Sequence, residues 1–159
     1  MLAHMSTTPQ SPHPTALGQP QPRWFFGSLM TITASAADTG GDYTLLDCTW
    51  PANVGVPLHV HYEEDEGFYV LEGSVSITVG DDVVELKAGE HAFGPRGIPH
   101  RFDIGPEGCR MVWILTPGGF EDFVEEASVP AQALTTAPPE ILPPADIAEI
   151  VLRHGMELL

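Results

Sequence analysis

The sequence predicts an all-β domain, an antiparallel sandwich or small barrel, followed by short C-terminal helices. Two observations carry this prediction. Short runs of β-branched and aromatic residues are separated by turn signals at intervals of about ten residues, which is the spacing of strands in sandwiches and barrels. Helical periodicity appears only after the turn formed by residues 116–119. No internal repeat is visible, so a single barrel is favoured over a fused pair.

The N-terminal segment differs in composition from the barrel that follows it. Residues 1–22 are rich in Pro, Ser, Thr and Gln and lack periodicity, so we expect a flexible arm that includes His4 and His13. The barrel is predicted over residues 23–118. Residues 74–79 show its pattern most clearly, because polar and apolar side chains alternate up to the turn at Gly80. The predicted strands cover residues 24–27, 29–33, 43–50, 57–61, 66–71, 74–79, 83–86, 91–94, 99–104 and 110–116.

Residues 119–159 are predicted to form a helical extension. A first helix is expected over residues 120–126 and a second over residues 144–155, which begins with a proline and ends at a glycine. Acidic residues early in the second segment and basic residues late in it suit the helix dipole. The apolar side chains expected to dock on the barrel are Phe120, Phe123, Val124, Ile147, Ile150 and Val151.

The charge balance and the cysteines limit the classes of partner. The formal net charge is −16, from 22 acidic and 6 basic residues. Such a surface repels phosphate backbones and anionic lipids, which argues against nucleic acid and membrane partners. The sequence shows neither a long apolar run nor a charged-then-apolar leader. We therefore expect a cytoplasmic protein in which Cys48 and Cys109 are free thiols, with a disulfide between them as the alternative.

Three histidines and one glutamate predict a metal site. His59 and His61 alternate along a predicted strand, so their side chains point to the same face. A chain reversal through residues 62–65 would bring Glu66 back beside them, and His100 follows the bend signals of residues 95–97. Three imidazoles and one carboxylate suit a divalent transition metal such as Fe, Ni, Mn, Co, Cu or Zn. The alternative, four unrelated polar side chains inside a barrel, would cost on the order of several kcal/mol of uncompensated burial.

The same residues carry a family resemblance. Residues 55–73 and 89–100 contain the patterns His-x-His-x4-Glu-x6-Gly and Pro-x-Gly-x2-His, in which the chain resembles the cupin superfamily. The turns before and after the barrel are similar to those of single-domain quercetin 2,3-dioxygenase-like cupins. The resemblance implies a double-stranded antiparallel β-barrel, the cupin or jelly-roll fold, with one metal ion per chain inside. Asn53 replaces a glycine and Ile104 an asparagine that these patterns often include, but neither position holds a ligand.

Several polar residues near the motifs have two readings. Glu66 is a candidate general base as well as a ligand, and a purely structural ligand is the alternative. Residues 63–65, all acidic, are expected to be solvated turn residues that keep the site anionic. His91 is expected on a strand surface, and His154 at a helix end.

A substrate pocket is predicted from inward-facing side chains. Met30, Phe68, Phe102 and Trp113 are candidates to line a pocket for a flat aromatic ligand. The alternative is that these side chains form the core of a small barrel, which is the commoner role of inward aromatic residues.

Three functions are consistent with this site. The first is a dioxygenase that acts with O₂ on a flavonol-like or other enol or diol aromatic substrate, which is the chemistry that the resemblance implies. The second is a non-oxidative isomerase, epimerase or cyclase that uses the same metal and base. The third is a barrel that binds a small molecule without catalysis. We also expect a homodimer, because the exposed apolar edges of a small barrel commonly find a partner and similar cupins are often dimers.

Overall fold

The computed structural model describes residues 20–159, so His4, His13 and the predicted arm up to residue 19 lie outside the described residues. This part of the chain forms ten strands and three short helices. The elements are β1 (Pro22–Phe25), β2 (Ser28–Ala34), α1 (Ala36–Thr39), β3 (Thr44–Trp50), β4 (Gly55–His61), β5 (Asp65–Val79), β6 (Asp82–Lys87), β7 (His91–Gly94), β8 (His100–Thr116), α2 (Phe120–Glu126), β9 (Val129–Pro130), α3 (Ile147–Arg153) and β10 (Met156–Leu158).

The strands pair in antiparallel fashion around the two longest of them, β5 and β8. The first part of β8 pairs with β4 and the second part with β3, while β5 pairs with β8 along most of its length. From one edge to the other the strands run β10-β4-β8-β3-β2-β1-β9, and β5 also pairs with β6 and β7. The predicted all-β class, an antiparallel β-barrel with short C-terminal helices, is confirmed.

The long strands β5 and β8 each replace two strands of the sequence-based prediction. The ladder between them continues through Gly73, which lies opposite Cys109, with register shifts on either side of Gly73. Gly73 has a φ of 75°, and a Cβ placed there would lie 2.0 Å from the carbonyl oxygen of Gly108. Glycine therefore permits the two backbones to approach closely, and the gap between the predicted strands 66–71 and 74–79 is a bulge in one continuous strand.

The core lies on the inner face of the barrel and is rich in aromatic rings. Trp113 has its ring centroid 5.6 Å from that of Phe102 and 6.1 Å from that of Phe68, and the ring of Trp50 lies 5.2 Å from Phe102. Phe68 is fully buried. These edge-to-face contacts bury large apolar areas, and the ring centroid of Phe68 also lies 6.2 Å from that of His100.

The C-terminal segment packs onto the barrel largely as predicted. Helix α2 has the predicted bounds, and Phe120, Phe123 and Val124 are buried. Helix α3 is shorter than predicted, because residues 144–146 form a turn in which the N–H of Ile147 donates to the carbonyl of Pro144. After α3 the chain adds β10 to the edge of β4, which the sequence-based prediction missed. Among residues 20–159, no helix is both long and apolar enough to span a bilayer.

A buried carboxylate fixes the start of α2. Glu121 accepts hydrogen bonds from the Thr44 hydroxyl, from the Ala36 N–H at 2.6 Å and from the Gly119 N–H at 3.1 Å. Burial alone would raise the pKa of Glu121, but these hydrogen bonds lower it below its ordinary value. Glu121 therefore joins α2 to β3 and to α1, which holds α2 over one end of the barrel.

Candidate metal centre

The structure brings together the four residues predicted to bind a metal. His59 and His61 come from β4, Glu66 from β5 and His100 from β8, and His59 lies directly opposite His100 in the β4–β8 ladder. One ligand atom of each residue lies within 4.8 Å of those of the other three. The Oε2 atom of Glu66 is 3.1 Å from Nε2 of His100 and 3.6 Å from Nε2 of His61. Three adjacent strands therefore supply one cluster.

Backbone carbonyls orient two of the histidine rings. Nδ1 of His59 is 2.8 Å from the carbonyl oxygen of Pro57, and Nδ1 of His100 is 3.1 Å from that of Ile98. A carbonyl oxygen only accepts, so Nδ1 carries the proton in both rings. On His59 the lone pair then lies on Nε2, which is the form that a metal ligand requires, whereas Nε2 of His100 donates to Oε2 of Glu66 and would become a ligand once it gives up that proton.

Burial and mutual charge set the protonation of the cluster. Burial lowers the pKa of His59 to about 4, so that ring is neutral at neutral pH. Burial alone would raise the pKa of Glu66, but the hydrogen bond from His100 and the nearby imidazoles lower it. Burial alone would lower the pKa of His100, but Glu66 raises it. Glu66 is therefore an ionised carboxylate beside three imidazoles, with His61, Glu66 and His100 almost fully buried.

This donor set is compatible with one divalent metal ion. Donor atoms that share an ion at bond lengths of about 2.1 Å stand roughly 3 to 4 Å apart. The separations in the cluster reach only 4.8 Å, so small side-chain movements would complete the coordination. Imidazole nitrogen and carboxylate oxygen are borderline donors that suit several transition metals, and the set does not select one of them.

A largely apolar cavity of about 230 Å³ opens beside the cluster. Its polar walls are His59, His61 and Glu66, and no Lys or Arg among residues 20–159 lines it. The remaining lining side chains come from the β1–β2 turn, β4, β8, the two last helices and β10, namely Phe25, Phe26, Val56, Pro57, Phe102, Trp113, Phe120, Phe123, Ile147, Val151, Met156 and Leu158. The cavity therefore has one polar end and an aromatic and aliphatic body.

The cavity includes two of the four side chains that the sequence suggested for a pocket. Phe102 and Trp113 line it, whereas Met30 and Phe68 are fully buried in the core and are not among its lining residues. The sequence-based prediction missed the contribution of α2, α3 and β10. The apolar face of Phe120 and Phe123 was visible as a signal, but the strand pattern could not show that this face closes the cavity.

The acidic turn before Glu66 also differs from the prediction. Glu63 is exposed, and Asp65 is partly buried and forms an ion pair with Arg96 at 2.9 Å, whose hydrogen bonds lower the pKa of Asp65. Glu64, which was predicted to be solvated, is only 9% exposed. The N–H of Tyr62 donates to the carbonyl of Gly155, and this contact between residues distant in sequence folds the turn against the C-terminal segment.

The remaining candidate residues lie outside the cluster. His91 is exposed on β7 opposite Tyr69, and His154 ends α3 with a hydrogen bond of 2.6 Å to Glu126. Cys48 and Cys109 are both buried free thiols. Burial raises the pKa of Cys109 to about 11, which makes a reactive thiolate unfavourable there.

The chain forms an antiparallel β-barrel whose inner face carries a candidate metal site of three histidines and one glutamate. Residues 47–115 match the family model described as Cupin domain. This range includes all four cluster residues. The match to the cupin family model thus falls on the part of the chain that carries the two motifs.

Individual relatives show a more distant similarity. Quercetin 2,3-dioxygenase from Bacillus subtilis (strain 168) is 27% identical over 95 residues, which is 60% of this chain and 28% of that enzyme. The chain thus spans less than a third of the length of this relative. Among solved structures, an RmlC-like cupin from Shewanella frigidimarina has a TM-score of 0.58 at 20% identity and covers 66% of this chain and 89% of its own. The polyketide cyclase RemF from Streptomyces resistomycificus has a TM-score of 0.50 at 28% identity, with coverage of 64% and 70%.

Proposed function

We propose that the protein is a metal-dependent dioxygenase that acts on a flavonol-like or other enol or diol aromatic substrate. The observation that carries this proposal is the position of the four-donor cluster at the polar end of an apolar cavity of about 230 Å³. An apolar cavity of roughly 150 Å³ holds benzene, so this one has room for a larger aromatic body. The similarity to a quercetin 2,3-dioxygenase supports the same substrate class.

The residues of the site would have two roles, metal binding and proton acceptance. His59, His61, Glu66 and His100 would hold the ion, which when bound supplies a Lewis acid that makes an enol or phenol easier to deprotonate. Glu66 is the group available to accept that proton, from a hydroxyl placed about 2.6–3.2 Å from its carboxylate. Its lowered pKa keeps it ionised and ready to accept a proton, although it also makes Glu66 a weaker base.

The apolar part of the cavity would position the substrate. Phe102, Trp113 and Phe120 present aromatic surfaces to a flat ring and leave little room for water around it. In the part of the chain that the structure describes, no cationic Lys or Arg side chain lines the cavity to balance a second negative charge on a ligand. The cavity therefore favours a molecule with one chelating edge and an uncharged body.

A non-oxidative cyclase or isomerase is the second candidate. The specific observation in its favour is the similarity to the polyketide cyclase RemF, at 28% identity. The same ion and the same Glu66 would serve enolisation and ring closure without O₂. A third reading, a barrel that binds a small molecule without converting it, uses the cavity alone.

Oxygen uptake separates these candidates. With metal-loaded protein and quercetin, we expect substrate-dependent O₂ consumption in air and no turnover under anaerobic conditions. Glu66→Gln is expected to lower the rate by about 10²-fold or more, since general base catalysis contributes about 10²–10⁴-fold. The matched control is Glu63→Gln, which removes the same charge from an exposed position of the same turn.

Other results of these measurements would favour one of the alternative functions or exclude Glu66 as the base. Turnover that continues without O₂ would contradict the dioxygenase and support the cyclase or isomerase. Saturable binding without product, with any of the candidate metals, would support the binding protein. A Glu66→Gln variant that keeps both metal and full turnover would remove Glu66 as the base.

We also propose that the protein is a homodimer. Tyr69, Phe93 and Ile114 are 44%, 55% and 39% exposed and lie on the three adjacent strands β5, β7 and β8. This outer apolar patch supports burial against a second copy. Ile114→Asp is expected to shift the molar mass measured by light scattering from dimer to monomer, whereas Val83→Asp, at an exposed position of β6, should not. A wild-type protein that is monomeric at high concentration would contradict the dimer.

A further inference from the structure

Among the described residues, the ring of His61 lacks the backbone hydrogen bond that orients the other two histidine rings of the cluster. Nδ1 of His59 and of His100 each donates to the backbone carbonyl two residues earlier in the chain. Nδ1 of His61 is buried and has no hydrogen-bond partner among the described residues. The nearest acidic atom is Oε2 of Glu64, at 3.5 Å.

Glu64 is buried beside this ring and lacks another partner for the same atom. The residue is 9% exposed, and its Oε2 has no hydrogen-bond partner among residues 20–159. The charge of Glu64 acts on Arg96, but the guanidinium of Arg96 donates its hydrogen bonds to Asp65 and not to Glu64. A buried carboxylate without a hydrogen bond or a cation is costly, so its position calls for a function that needs it there.

We infer that Glu64 is a positioning residue for His61, which it holds with Nδ1 protonated and Nε2 directed to the metal. This inference rests on the proposed function, because it assigns a role toward the same ion. Histidines that bind metals almost always donate their second N–H to a carboxylate, a carbonyl or water. His59 and His100 use carbonyls, and Glu64 is the carboxylate that stands in the corresponding position for His61.

A second carboxylate also suits the charge of the site. Glu66 alone offsets one of the two charges of a divalent ion. The described residues that line the cavity beside the cluster include no other anionic side chain, so Glu64 would supply the second negative charge through the His61 ring. The contact of 3.5 Å is slightly longer than an ordinary N–H···O bond, and a small rotation of either side chain would close it.

The test compares Glu64→Gln with Glu63→Gln, because both remove one charge from the same turn and only Glu64 faces His61. The probe is Co²⁺, whose affinity is measured by competition with a chelator and whose ligand field is read from its visible absorption. Glu64→Gln is expected to bind Co²⁺ about 10- to 100-fold more weakly, with a changed absorption spectrum. Glu64→Ala should bind it more weakly still, and Glu63→Gln should match the wild type.

The melting temperature of the metal-free protein separates this role from packing. Glu64→Gln should not lower it, because the substitution removes a buried charge that has no partner without the ion. A clear loss of metal-free stability with unchanged Co²⁺ affinity would make Glu64 a packing residue and overturn the inference. If wild type and Glu64→Gln bind Co²⁺ equally, this inference alone fails. If the wild type binds no Co²⁺, the proposed function fails with it.

Discussion

Replacing His100 with alanine is expected to reduce the metal content from about one ion per chain to close to none. His100 lies next to every other member of the cluster. The centroid of its ring is 4.4 Å from that of His59 and 5.2 Å from that of His61, and its Nε2 is 3.1 Å from Oε2 of Glu66. The substitution removes one of four donors and also the hydrogen bond that helps to keep Glu66 ionised. Elemental analysis after dialysis of metal-loaded protein measures the loss.

The control for this prediction is His91→Ala. His91 is exposed on β7, outside the cluster, and its removal should leave the metal content unchanged. Circular dichroism establishes that both variants fold. Equal metal retention by His91→Ala and His100→Ala, with both variants folded, would show that the ion binds somewhere other than the four-residue cluster.

Phe68→Ala is expected to cost about 3–5 kcal/mol of the free energy of unfolding, the usual range for removing a buried phenylalanine. Phe68 is fully buried, and its ring meets those of Phe102 and Trp113 at centroid distances of 6.4 and 6.1 Å. The truncation leaves a cavity among large rigid rings, which have little freedom to close it. Urea denaturation of the metal-free protein measures the change without a contribution from metal binding.

Phe93→Ala provides the matched comparison. Phe93 lies on β7, which pairs with the part of β5 that contains Phe68, but it is 55% exposed. Both variants are compared in the Ile114→Asp background, which is expected to be monomeric, so that the dimer contact proposed for Phe93 does not contribute. There the removal of Phe93 should change the free energy of unfolding by no more than about 0.5 kcal/mol, as at other surface positions. Similar losses for the two variants would contradict the placement of Phe68 in the core and of Phe93 on the outer face.

The candidate metal cluster could be predicted from the sequence because strand geometry is periodic. Side chains two residues apart on a strand share a face, which places His59 beside His61. The bend signals of residues 95–97 then explain how His100 reaches the same face from a separate strand. Helix α2 was also predictable, since Phe120 and Phe123 follow a turn rich in glycine.

The shape of the cavity could not be predicted in the same way. Strand periodicity identifies the inner face, but it does not distinguish the inner residues that fill the core from those that line open space. Phe68 and Phe102 both point inward, yet only Phe102 reaches the cavity. The difference depends on where α2, α3 and β10 close the barrel, and that closure depends on contacts distant in sequence, such as the hydrogen bond from Ala36 to Glu121.

The burial of Glu64 was missed for a related reason. A run of acidic residues in a turn normally faces water, and residues 62–65 offer no apolar side chain besides the Tyr62 ring to suggest otherwise. The pairing of β10 with β4 folds this turn inward, and β10 is a three-residue strand that follows a helix. Such a short strand carries too little pattern to be recognised from the sequence.

Anomalous X-ray scattering from crystals of the protein supplied with Co²⁺ or Mn²⁺ tests the metal site most directly. We expect one strong peak per chain among Nε2 of His59, His61 and His100 and the carboxylate of Glu66, at about 2.1 Å from each nitrogen. A peak held by other side chains, or no peak in a folded chain with the ion in excess, would contradict the metal site and the function proposed from it.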